Sequence, residues 1–330
     1  MEFQTKIILL SFAITIVLAF IIIPILKKLK IGQIERVEGP QSHLKKQGTP
    51  TMGGIIMIIV IILVGAVMFI DYFRSTDTGE KQVAQNLLPI IAVTVGFGII
   101  GLIDDLKKLI GKNTEGLKPA YKMIGLLIVS VGFSLYLTEI MHFEPQIYIP
   151  FADIYFTFPV WLYVPFVVLV FLSSTNAINL TDGIDGLSTS VTTIILTCLT
   201  IISVIFGVKE VTVFGSILIG TCLGFLLFNL YPAKVMMGDT GSLALGGFVA
   251  ATALMLRLSL FIPIVALIYM IEVLSVMAQV LYFKMTKGKR LFKMAPIHHH
   301  FELSGWPETK VVAIFAITTA VCCLIGLVAI

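Results

Sequence analysis

The chain has 330 residues, 58% of them hydrophobic and only 13% charged, with a formal net charge of +4. A mean hydropathy of +1.02 leaves too little polar surface for a soluble globule and places the chain in a bilayer. The apolar runs lack the period-two alternation of barrel strands, so the spans are helical.

A spanning helix needs about 20 mostly apolar residues. The sequence predicts ten such helices, near 5–26, 52–70, 86–104, 121–138, 160–176, 187–206, 211–230, 241–256, 261–283 and 309–330. The expected fold is thus an all-α integral membrane protein, a single polytopic domain over 1–330. Pro24, Gly65, Pro165 and Pro263 interrupt spans at points where neighbouring helices can re-satisfy the freed backbone groups. Lys27, Lys28 and Lys30 follow the first apolar run and no small-residue cleavage site appears, so that run reads as an anchor.

Dividing the 23 Lys and Arg between alternate sides of ten spans puts 18 on one side. The five on the other are Lys6, Arg74, Lys81, Lys209 and Arg257. The basic side is expected to be cytoplasmic, with both termini outside. The net charge is therefore a topology signal rather than a nucleic-acid signal, and no nucleic-acid partner is expected; basic loops beside a membrane also attract anionic lipid and phosphate. Cys198, Cys222, Cys322 and Cys323 lie in apolar spans without metal-ligand spacing. The longest outward loop, 139–159, alternates through Gln146–Pro150 and Ile154–Phe158, which predicts a small hairpin.

Five segments on the basic side carry chemistry. Gly39–Gly54 combines turn formers and hydroxyls with Lys45 and Lys46. It suits a phosphate-wrapping loop or an ordinary topology loop. Next, the third span runs into Asp104 and Asp105, and acids do little for topology. Successive helical residues point about 100° apart, so the two carboxylates face different ways while Asp104 and Lys108 share a face. Catalysis and a solvated helix end both fit.

Asn176–Leu187 holds two amides and two Asp-Gly pairs where a turn needs one. Asp182 and Asp185 have no Lys or Arg in the loop to neutralise them, so a metal ion, a ribose or a base edge fits. In Asn229–Ser242, Asp239 stands between Gly238 and Gly241 as a metal ligand or an N-cap, with Thr240 and Ser242 as further oxygens. In Ala295–Glu302, His298, His299 and His300 are adjacent, and adjacent side chains rarely converge on one zinc ion. Anion contact and proton transfer fit them better. Carboxylates for magnesium and lysines for phosphates (Lys45, Lys46, Lys108, Lys122, Lys234) are the parts of a phosphoryl transfer site.

Over its whole length the sequence resembles the phospho-N-acetylmuramoyl-pentapeptide-transferases, within the wider polyprenyl-phosphate N-acetylhexosamine-1-phosphate transferases. The Asp-Asp pair, the Asn/Asp-rich loop and the Gly-Asp segment carry the wider likeness. Pro40–His43 with Gly48–Gly54, and Ala295–Glu302, carry the narrower one. The resemblance implies transfer of phospho-MurNAc-pentapeptide from UDP-MurNAc-pentapeptide to undecaprenyl phosphate, with Mg2+ as cofactor, in a multi-pass bacterial cytoplasmic-membrane protein that is a homodimer.

It further implies that Asp104, Asp105, Asp239 and His298 are catalytic, with Asp239 and Asp104 on the metal. Lys45, Thr49, Lys108, Lys122, Asn176, Asn179, Asp182, Asp185, Gly186, Asn229, Met236, His299 and His300 would bind substrate. Met236 replaces the aromatic residue more usual in the family at that position, so a thioether contact would stand in for base stacking. A sister transferase acting on UDP-GlcNAc is the alternative within the superfamily. A secondary transporter is the alternative outside it, suggested by Glu272 in the ninth span, although carboxylates grouped at one face are unlike a midplane transport site and Glu272 is expected to pair with a polar group of a neighbouring helix.

Overall fold

The computed structural model describes residues 2–29, 48–111 and 116–330. Its elements follow the apolar runs: α1 (Glu2–Lys28), α2 (Gly54–Arg74), α3 (Thr78–Gly111) and α4 (Pro119–Leu135), the last continued by a π-helical turn over Tyr136–Ile140. A hairpin of β1 (Gln146–Ile149) and β2 (Ile154–Thr157) precedes α5 (Val160–Thr181), α6 (Leu187–Ile205), α7 (Lys209–Asn229) and α8 (Gly238–Met255). A 3-10 turn at Ser259–Phe261 leads to α9 (Ile262–Val265), α10 (Leu267–Met285), α11 (Ile297–Glu302) and α12 (Glu308–Val328).

Among the described residues, nine helices are long and apolar enough to cross a membrane. The eighth expected span, 241–256, forms α8 but is not among the nine, and its packing explains why. From Thr240 to Met255 every residue of α8 is buried. A helix buried all round faces protein rather than lipid, and its sequence can carry Gly, Ser and Thr in place of Leu and Ile. Those small residues let neighbours approach. A Cβ at Gly54 of α2 would strike the backbone of Gly241, and one at Gly101 of α3 would strike the backbone of Asp239. Gly246 packs on Thr175 of α5, and Gly247 on the ring of Phe97 of α3.

α8 nevertheless runs from one end of the bundle to the other. At its start the Thr240 N–H reaches α3; just past its end the Arg257 carbonyl accepts the Tyr148 N–H of β1 at 2.8 Å. Eighteen residues at about 1.5 Å each give roughly 27 Å, close to a bilayer's hydrocarbon thickness.

The ninth expected span, 261–283, is broken rather than continuous. Pro263 sits in the first turn of α9, where its missing N–H costs no helical bond, and Ala266 (φ −107°, ψ 34°) separates α9 from α10. The hairpin forms as expected, with Gln146 opposite Thr157 and Ile149 opposite Ile154. The hydroxyls of Thr94, Ser130 and Thr175 each donate to the carbonyl four residues earlier, which satisfies those donors in an apolar setting.

Candidate active site

The polar segments gather at the end of the bundle opposite the hairpin. α3 extends beyond its expected boundary, so Asp104, Asp105 and Lys108 all lie within its last two turns. The angular separation of adjacent residues sends the two carboxylates apart, as expected. Asp104 turns to Lys108 one turn on, its Oδ2 2.6 Å from Nζ, and its Oδ1 accepts the Leu117 N–H at 2.7 Å. Asp105 turns to the start of α8. Its Oδ1 accepts the Asp239 N–H at 3.2 Å, and its Oδ2 accepts the Thr240 N–H at 2.9 Å and the Thr240 hydroxyl at 2.7 Å.

This arrangement decides between the two readings of Asp239. The N–H groups at the start of α8 are capped by Asp105 from another helix, so Asp239 is not the cap. Its carboxylate points into the gap between helices instead. There Oδ2 takes Lys122 of α4 at 2.7 Å and Lys108 at 3.0 Å, and Oδ1 takes the Asn179 amide of α5 at 2.8 Å. Asn179 also donates to Ser242 Oγ at 2.9 Å. Oxygens of Asp104, Asp105 and Asp239 come within 4.8 Å of one another. Three carboxylates facing two ammonium groups leave one formal negative charge in a site built only of hard oxygen donors. That donor set fits magnesium, with Asp239 and Asp104 as the carboxylates whose oxygens are not spent on capping.

The Asp-Gly loop packs against the same corner. Asp182 accepts the Gly238 N–H, and burial, then the charges of Asp239 and Asp105, push its carboxyl up to about 8. Asp185 Oδ2 accepts the Ala233 N–H at 2.9 Å, and Gly186 opens α6. Both aspartates therefore face the 233–238 segment, although a turn rather than a helix holds them. Gly238 has φ +73°, a conformation glycine adopts without strain, and Thr51 and Asp105 crowd its Cα.

From the other side, Gly53 and Gly54 donate to the carbonyls of Met236 and Met237, both at 2.9 Å, and the Met236 N–H returns to the Pro50 carbonyl at 2.8 Å. These bonds strap the half-buried Thr49 and its neighbours onto the loop before α8. Lys45, Lys46 and Pro40–His43 lie outside the described residues.

Other expected residues take structural posts. Asn229 is 1% exposed, accepts from Thr189 at 2.8 Å and donates to the Val235 carbonyl at 3.0 Å, so it braces the loop. Met236 is buried and turns no surface to a base. Asn176 donates to the Leu172 carbonyl at 2.7 Å, one turn from Asn179. The three histidines on α11 diverge: His298 Nδ1 meets Glu272 at 3.0 Å, His299 meets Glu302 at 2.8 Å, and His300 accepts the Lys293 N–H at 3.1 Å.

Sequence reasoning missed the α8 cap, although Gly101, one turn before Asp105, marks where α8 crosses. Glu272 pairs with a polar group of a neighbouring helix, as expected, but nothing local named His298, 26 residues on, as that group.

Fold and site together define a polytopic membrane protein with a carboxylate–lysine centre at one end of the bundle, of the kind that handles phosphates. Residues 87–257 match the family model described as glycosyl transferase family 4, and residues 46–58 match phospho-N-acetylmuramoyl-pentapeptide-transferase signature 1. A phospho-N-acetylmuramoyl-pentapeptide-transferase of Acetivibrio thermocellus is 49% identical over 96% of this chain and 92% of its own. Relatives of the same name from Clostridium novyi and Clostridium perfringens are 49% and 50% identical, each over 97% of this chain and over 94% and 96% of their own. The chain belongs to the phospho-N-acetylmuramoyl-pentapeptide-transferase family.

Proposed function

We propose that this site moves phospho-MurNAc-pentapeptide from UDP-MurNAc-pentapeptide to undecaprenyl phosphate in peptidoglycan synthesis, giving undecaprenyl-diphospho-MurNAc-pentapeptide and UMP. The observation that carries it is the joining of Asp104, Asp105, Asp239, Lys108, Lys122 and Asn179 into one centre, in a chain belonging to this family.

A phosphate oxygen of the lipid attacks the sugar-bearing phosphorus, a new P–O bond forms, and the bond to UMP breaks with its electron pair leaving on UMP. Both reactants are anions, so the site must offset their repulsion. Asp239 and Asp104 are the residues to hold Mg2+, which when bound neutralises phosphate charge and stabilises the leaving group. Lys108 and Lys122 hold diphosphate oxygens, exchanging part of their contact with Asp239 for the ligand. An aspartate of the centre receives the proton of the incoming lipid phosphate. Asp105 works by fixing the start of α8, and hence Asp239. Asn179, Asp182, Asp185 and Gly186, with the half-buried Thr49, line the nucleotide side, and His298 lies on the anion side.

The basic asymmetry of the sequence supports placing this end at the cytoplasmic face of a bacterial membrane, where the nucleotide sugar is found, with the lipid's tail entering between helices. The family likeness favours a homodimer. Purified protein with undecaprenyl phosphate and magnesium should release UMP from UDP-MurNAc-pentapeptide and not from UDP-GlcNAc. The opposite preference would move the chain to the sister activity.

A further inference from the structure

Glu272 is a carboxylate in the second turn of α10, and burying it with no partner would be costly. It is 0% exposed, as is His298, and the two meet at 3.0 Å between Oε2 and Nδ1. No other contact among the described groups reaches the pair's remaining polar atoms: Glu272 Oε1 and His298 Nε2 are both buried without a hydrogen-bond partner. α10 and α11 supply one residue each, and α11 holds His298 by a single short turn of helix, so the carboxylate is what fixes the ring. Nε2 is pressed against Gly183, where a Cβ would collide with it. Gly183 follows Asp182, which bonds to the start of α8. The unmet ring nitrogen thus lies directly against the loop proposed to line the nucleotide side.

We propose that Glu272 is a positioning residue for the transfer reaction: it holds His298 by Nδ1 so that Nε2 is presented beneath the Asp182–Gly183 loop to an anionic phosphate oxygen of the nucleotide sugar. The inference rests on the proposed function. In the liganded state the ring carries a proton on each nitrogen, one shared with Glu272 and one donated to the phosphate, and the carboxylate balances the ring's charge. Glycine at 183 is then required by function as well as by packing, since any side chain would displace the ring.

The test is a double-mutant cycle with Glu272→Gln and His298→Gln, reading kcat and KM for UMP release together with thermal melting. Glu272→Gln keeps an oxygen able to accept from Nδ1 and removes the charge. It should fold, and lower kcat/KM for the nucleotide sugar by about 10- to 100-fold, the worth of one charge-assisted hydrogen bond. The double variant should lose no more than His298→Gln alone, because Glu272 acts through the ring. Losses that multiply would overturn the proposal, as would unchanged kinetics in Glu272→Gln.

Should either variant fail to fold, nitrogen-15 NMR of labelled histidine in the unmutated protein decides. With UDP-MurNAc-pentapeptide bound, the proposal requires one buried ring protonated at both nitrogens, and a buried ring bare at Nδ1 refutes it. If the unmutated protein binds the nucleotide sugar but releases no UMP, the proposed function fails while the NMR readout still tests the pair.

Discussion

Asp239 occupies the second position of α8, where a carboxylate commonly serves its own helix, yet its oxygens face Lys108, Lys122 and Asn179. The service falls to Asp105, which lends both oxygens to N–H groups of α8. Asp105→Asn replaces one accepting oxygen with an NH2 that opposes those donors. The variant should stay folded with a lower melting temperature and keep its affinity for the nucleotide sugar by calorimetry, while UMP release is lost. Near-normal turnover would remove Asp105 from the account.

Asp182 gives a pH signature. Its carboxyl is raised to about 8 by burial and by Asp239 and Asp105, so the folded protein retains a proton that the unfolded chain has already released. Stability from this group is therefore greatest in acid and falls as pH rises from the ordinary carboxylate range towards 8. Asp182→Asn removes the dependence. In the absence of magnesium and ligand, its melting temperature should exceed the parent's by more at pH 8.5 than at pH 5. A constant or shrinking difference would show that Asp182 is already ionised in the fold.

At the scale of elements, α8 governs the site because it presents Asp239 to residues from α3, α4 and α5 at once. Its position depends on small residues at crossings, most directly Gly101, which leaves no room for a Cβ beside the Asp239 backbone. Gly101→Ala should cost about 1–3 kcal/mol by overpacking and lower turnover with it, read by thermal melting and UMP release. Unchanged stability and activity would mean that the crossing is looser than described.

The sequence made most elements legible because lipid-facing helices must be long and apolar, and α8 was legible only as a span, not as an inner one. Burial on all sides relaxes the demand for Leu and Ile, and nothing local distinguishes protein from lipid as the neighbour. The break at Ala266 was signalled by Pro263, though the run of apolar residues across it concealed where the helix stops. Asp104 with Lys108 was readable from helical spacing alone. The cap on α8 joins residues more than 130 apart, and only the packing of α3 on α8 reveals it.

For the whole molecule, the two ends of the bundle differ in chemistry: one gathers Asp104, Lys122, Asn179 and Asp239, the other the hairpin, Arg257 and the Tyr148 hydroxyl bonded to Ala329. In a cysteine-free variant of intact cells, a cysteine at Lys289 should be shielded from an impermeant thiol reagent while cysteines at Asp77 and Gln146 label. The reverse pattern would put the carboxylate centre outside. The family and the reaction class were legible from five polar segments. The division of labour within them was not, because Asn229, Met236 and Asp105 look like ligand groups in sequence and are held by internal contacts in the fold.

The central claim is that Asp239, freed from capping, is the carboxylate around which the transfer site is charged. Magnesium titration of UMP release, for the parent and for Asp239→Asn at matched folding, tests it most directly. The amide keeps the size of the side chain and removes the charge. The account predicts little activity in the variant and, for what remains, a magnesium requirement raised by about tenfold or more. An unchanged magnesium titration would contradict it.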